Sequence, residues 1–154
     1  MLGVKARVCP VPAEATFALR QRVLRPHQSI AEMALPGDDD PSTLHLGAVD
    51  EAGEVVGALR LQPAVCPWYP SRPDAWQLRG MATSADLRGH GIGAELIAAA
   101  VRHIAVSGGG LLWCNARVPA EAFYARAGFL ATDNRWDDPL IGPHVGMLRE
   151  VSAS

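Results

Sequence analysis

The stretch best suited to chemistry is Arg88-Gly89-His90-Gly91-Ile92-Gly93, which joins a strand-like run to an apolar-periodic helix. Three glycines in five residues let the backbone pass close to a ligand, because no Cβ stands in the way. A helix beginning at that bend adds unpaired N–H groups and the positive end of its dipole, a combination that holds phosphate or diphosphate. Arg88 adds a fixed positive charge with several donors. A nucleotide P-loop is excluded, since no Lys-Ser or Lys-Thr follows the glycines. Gly89, Gly91 and Ala94 fit G-x-G-x-x-A, as in a dinucleotide fold. However, about 20 residues on, where an acidic ribose partner belongs, the chain reads Leu111-Leu112-Trp113-Cys114. Another phosphate-bearing ligand fits better.

The elements that position this bend follow from pattern. Val4 to Val11 alternates as a half-buried strand does, Ala13 to Leu24 reads as a helix, and Pro26 ends it. His27 to Ser42 reads as a loop with one helical turn. Thr43 to Val49 and Glu54 to Leu61 are strands joined by the hairpin Asp50-Glu51-Ala52-Gly53. Pro63 to Pro73 reads as an exposed loop and Ala75 to Thr83 as the next strand. Gly91 to Val106 is a helix with the apolar stripe Ile92, Leu96, Ile97, Ala100, Val101 and Ile104, stopped by Gly108-Gly109-Gly110. Leu111 to Asn115 is a buried strand, and Pro119 opens a short helix closed by Gly128. Phe129 to Thr132 and His144 to Val151 are the last strands, with Asn134 to Pro143 between them. This order predicts an α/β fold, a single domain over residues 1–154, with helices against a mixed sheet.

Composition sets outer limits. A chain of 154 residues builds one core rather than two. A net charge of -2 argues against a broad polyanion-binding surface, so no nucleic acid is expected. No apolar run approaches the ~20 residues that cross a bilayer, and the first ten residues lack a long apolar leader. Cys9, Cys66 and Cys114 are odd in number and form no CxxC pair, so neither a disulfide frame nor a metal site is indicated. A reducing cytoplasm is the expected setting, with no membrane contact.

Arg88-Gly89-His90-Gly91-Ile92-Gly93 resembles the Q/R-x-x-G-x-G/A signature of the GNAT N-acetyltransferases. Phe123-Tyr124-Ala125-Arg126-Ala127-Gly128-Phe129 is similar to the family's F-Y-x-x-x-G-F segment, in the right order and at the usual separation. The match is strong from about Ala75 to Phe129. Gln28 to Leu46 and Pro143-His144-Val145-Gly146-Met147 are similar to the ElaA-like branch, although that branch's early Cys-Pro-Tyr pattern is absent.

The resemblance implies a central, mostly antiparallel mixed sheet whose fourth and fifth strands splay apart. It also implies acetyl-CoA as donor and direct transfer to an amine, without a covalent enzyme intermediate. Met81, Ala82 and Thr83 would pair with the pantetheine arm, one of their N–H groups polarising the thioester carbonyl. Gly89, His90, Gly91, Ile92 and Gly93 would hold the diphosphate, with Arg88 on it or on the ribose phosphate. Tyr124 would protonate the departing sulfur, a task a phenol suits because it keeps its proton at neutral pH. A packed ring with its hydroxyl on a backbone carbonyl is the alternative. Asn115 would bond the pantetheine arm, or else cap a turn at its strand end.

Many relatives carry a glutamate on the fourth strand, but here that strand reads Trp76-Gln77-Leu78-Arg79-Gly80. His144, Asp137, Asp138 and His45 are the candidate bases, and a solvent-connected water is the alternative. Asp38-Asp39-Asp40 and Asp137-Asp138, the latter beside Trp136, would suit a cationic amine or be solvated loop charge. Trp113 is expected in the core, and Trp68, Trp76 and Trp136 in packing roles. A non-catalytic acyl-CoA sensor on the same fold is the rival to the enzyme. Monomer and homodimer are both compatible with the pattern.

Overall fold

The computed structural model describes residues 5–154, so the start of the first predicted strand, at Val4, lies outside the described residues. The strands are β1 (Ala6–Pro10), β2 (Leu44–Asp50), β3 (Val55–Pro63), β4 (Ala75–Thr83), β5 (Gly110–Arg117), β6 (Leu130–Asp138) and β7 (Gly142–Val151). The helices are α1 (Phe17–Leu24), α2 (Ile92–Val106) and α3 (Glu121–Arg126). Strand order is β1-β2-β3-β4-β5-β7-β6. The β4–β5 pair is parallel, while β1–β2, β2–β3, β5–β7 and β6–β7 are antiparallel, so the sheet is mixed and mostly antiparallel as expected.

The chain forms two compact units that share β4 and α2, one of Met1–Gln62 with Gly80–Ala100, the other of Pro63–Arg79 with Val101–Ser154. In the first, β3 is buried almost end to end, because helices cover both its faces. Leu19 of α1 packs with Ala58 and Ala82 on one face. On the other, Gly57 meets α2, where an added Cβ would stand 2.7 Å from Ile92 and 3.0 Å from Leu96. The predicted stripe on α2 is therefore the buried one, with Leu96 and Ala100 fully enclosed. The β2–β3 hairpin turns where predicted, as the Asp50 carboxylate accepts the amides of Ala52 at 3.0 Å and Glu54 at 2.9 Å.

In the second unit, Cys66, Ala75, Leu111 and Trp113 form a core cluster. The Pro63–Pro73 segment is thus not simply an exposed loop, since Cys66 is fully buried and Ala64 accepts the indole N–H of Trp113 at 2.9 Å. The larger departure is β6, which continues to Asp138 instead of ending at Thr132. As an edge strand with both faces largely exposed it shows no apolar alternation, and its register shifts between Ala131 and Arg135.

Candidate active site

In the first unit, β4 leads straight to the glycine bend. Gly80 has φ +64°, a left-handed conformation within the strand, and an added Cβ there would sit 3.2 Å from the guanidinium of Arg20. The parallel ladder to β5 runs from Ala75↔Leu111 to Leu78↔Cys114, two residues before this glycine. Beyond it, Ala82 is buried while Met81 and Thr83 are half-buried. The amide of Ser84 donates to Val56 at 2.9 Å, tying the strand end to β3.

A 3-10 turn, Ala85–Leu87, then delivers Arg88 in extended conformation. Gly89 and Gly91 have φ +86° and +82°, a region side chains rarely adopt, and nothing lies within 4 Å of a Cβ built on either. Their requirement is conformational, and the space beside them is open. The amide of Glu95 donates to Gly91 at 3.0 Å, the first bond of α2, so those of Ile92, Gly93 and Ala94 precede it without intrahelical acceptors. Arg88 and His90 are exposed beside them. Unpaired amides at a helix start of this kind suit an anion.

In the second unit, Tyr124 of α3 is 7% exposed, with its ring edge-on to Phe123 at 5.2 Å and Phe129 at 5.4 Å. Among the described residues its hydroxyl makes no hydrogen bond, so the backbone-anchored alternative fails. Burial first, then Cys114, pushes the phenol far above its ordinary range, with Arg117 opposing. It therefore keeps its proton at neutral pH. Burial also pushes the Cys114 thiol up to about 12. Asn115 is exposed and lies inside β5, opposite Gly146, with no turn there to cap.

A profile of the Acetyltransferase (GNAT) family matches residues 13–129. The chain belongs to the GNAT family of acetyltransferases. As a GNAT protein it is an acyltransferase, and the uncharacterized N-acetyltransferase YitI of Bacillus subtilis is 34% identical over 154 residues, covering 100% of this chain and 99% of that one. The fold is shared with a phosphinothricin acetyltransferase from Sinorhizobium meliloti, solved in complex with AcCoA, at TM-score 0.72 and 18% identity, covering 96% and 89% of the two chains. Escherichia coli ElaA gives TM-score 0.70 and 18% identity, covering 95% and 100%.

Within this GNAT chain the first unit brings together Met81, Ala82, Thr83 and the Arg88–Gly93 bend, and the second carries Tyr124, Asn115, His144 and Asp137. His144 and Asp137 are on opposite faces of their sheet. His144 pairs with Trp136 in register and stacks on its indole at 5.6 Å and 12°, whereas Asp137 is the next residue along β6. Asp137 and Asp138 are strand residues, not loop charges, and the Asp138 carboxylate accepts the amides of Leu140 at 2.8 Å and Ile141 at 3.1 Å.

Both readings of Asp38 also fail, because it is buried against Arg60 and lies 3.8 Å from His45. Asp40 is bonded locally, accepting from Ser42. Sequence reasoning passed over Gly80, although a lone glycine in a strand is itself a signal of special backbone. Among the described residues no helix is long and apolar enough to cross a membrane.

Proposed function

We propose that this chain transfers the acetyl group of acetyl-CoA directly to a primary amine of a small molecule or peptide. Acetyl-CoA is the donor. The amides from Gly89 to Gly93 hold its diphosphate, helped by Arg88, and the open space beside Gly89 and Gly91 supports this. The Met81–Thr83 strand edge takes the pantetheine arm, and an amide there polarises the thioester carbonyl as negative charge grows on its oxygen. Asn115, exposed within β5, bonds the arm.

Tyr124 donates its proton to the departing sulfur. Its hydroxyl is free of any competing acceptor among the described residues, and burial keeps it protonated at neutral pH. Cys114 stays a protonated, buried thiol, a poor acyl carrier, which supports direct transfer over a covalent enzyme intermediate.

The observation that carries the reading is the glycine bend running into the unpaired amides of α2 in a chain of this family. The test is CoA thiol release from acetyl-CoA with a polyamine, an amino acid, an aminoglycoside and a peptide N-terminus. Amine-dependent release, lost in Tyr124→Phe while CoA still binds by calorimetry, is the expected result. Binding without release for every amine would point instead to a non-catalytic acyl-CoA module.

A further inference from the structure

We infer that His144 is the proton acceptor at the attacking amine, through its Nε2 atom; this rests on the acetyltransferase reading above. Nδ1 of His144 lies 2.8 Å from the carbonyl oxygen of Gly142. A carbonyl only accepts, so in the neutral ring Nδ1 carries the hydrogen and Nε2 holds the basic lone pair. The ring cannot turn away from this arrangement, being 6% exposed and stacked on Trp136. Nε2 has no hydrogen-bond partner among the described residues. Since none of their buried side-chain nitrogens or oxygens is left without one, this atom is open to solvent.

The register places this lone pair usefully. Asn115 pairs with Gly146 and Arg117 with His144, so Asn115 and His144 are diagonal neighbours on one sheet face, about 7–8 Å apart at Cα. The charged neighbours that these strands supply on the His144 face are Arg117, its register partner, and Asp138, two residues beyond Trp136.

Of the other candidates, the Asp138 carboxylate is taken by the Leu140 and Ile141 amides. Nε2 of His45 lies 3.1 Å from the Asp38 carbonyl oxygen, inside a buried cluster. Asp137 is on the far face.

The step balances as follows. Nε2 takes one proton from the substrate ammonium, and the freed amine forms the N–C bond to the thioester carbonyl. As the C–S bond breaks, the sulfur takes the Tyr124 proton. The second nitrogen proton reprotonates the phenolate, and His144 returns its own to solvent. The products are the amide, CoA thiol and one proton.

The test uses the full chain with ring-labelled histidine, acetyl-CoA and the best amine of the panel. Expected are an Nδ1–H tautomer for neutral His144 by nitrogen NMR and unchanged CoA affinity in His144→Gln. Turnover in that variant should fall about 10²–10⁴-fold, the usual contribution of a general base. His144→Ala should regain part of that loss with added imidazole, in proportion to the neutral imidazole present. The opposite tautomer, or undiminished turnover in His144→Gln, would overturn the inference alone. A wild-type protein that releases no CoA with any amine would sink the acetyltransferase reading, and the inference with it.

Discussion

Nη1 of Arg60 stands 2.7 Å from Oδ1 of Asp38, with the two side chains only 2% and 6% exposed. The same guanidinium donates to the Pro36 carbonyl at 2.9 Å and to Gln62, while Oδ2 of Asp38 accepts the Leu35 amide at 2.8 Å. One arginine on β3 therefore fixes the entire bend before β2. Removing one member of a buried pair leaves the other charge uncompensated, at a cost of about 3–5 kcal/mol. Asp38→Ala should lose that much in urea denaturation. Asp39→Ala, at an exposed neighbour, should stay within about 0.5 kcal/mol. Equal effects would mean that the pair is not what holds the bend.

Gly91 and Gly53 form a matched pair for testing the anion site. Both have φ +82° and nothing within 4 Å of a Cβ position, but Gly53 lies in the β2–β3 turn. Alanine at either should cost about 1–3 kcal/mol of backbone strain. Only Gly91→Ala should weaken CoA, by about tenfold for each 1.4 kcal/mol expressed at the bend. Calorimetry showing full affinity in Gly91→Ala would remove the bend from the binding site.

The Pro63–Pro73 segment is clasped by charge. Arg72 donates to Asp74 at 2.8 and 3.0 Å and to Glu150 at 2.5 and 3.1 Å. These bonds hold both carboxyls below their usual range. A lowered folded-state pKa stabilises above the unfolded value and is lost as pH falls through the folded one. The wild type should thus melt above Arg72→Ala at neutral pH, with the gap closing below about pH 4, the ordinary carboxylate range. A gap constant with pH would refute the clasp. High salt should narrow it too, since the groups are solvent-facing.

Gly146 lies flat beneath Trp68, and an added Cβ would collide with the indole. Trp68 in turn is edge-on to Trp113 at 5.7 Å and tilted against Trp136 at 6.3 Å. Gly146→Ala should displace the indole, costing about 1–3 kcal/mol as overpacking does. Near-ultraviolet circular dichroism should report the loss of this aromatic row. An unchanged spectrum at full stability would show that Trp68 does not need that space.

Much of the architecture was legible because it repeats locally. The α2 stripe, the Asp50 turn and the glycines after β4 each declare themselves within a few residues. The exposed edge strand β6 did not, since neither face is buried and its Asp and Asn residues disfavour strands. Nor did the pairing of Asp38 with Arg60, 22 positions away, because no local pattern encodes which distant charge a carboxylate will meet.

By itself, the order of residues determined the family, the bend suited to an anion and a tyrosine of suitable chemistry in the expected segment. Only the tertiary structure decided that the Tyr124 hydroxyl is unbonded among the described residues, that Nδ1 of His144 sits against the Gly142 carbonyl, and that Asp137 faces away from it. The reason is physical: residue type sets what a group can do, whereas strand register and burial set which way it points and what surrounds it.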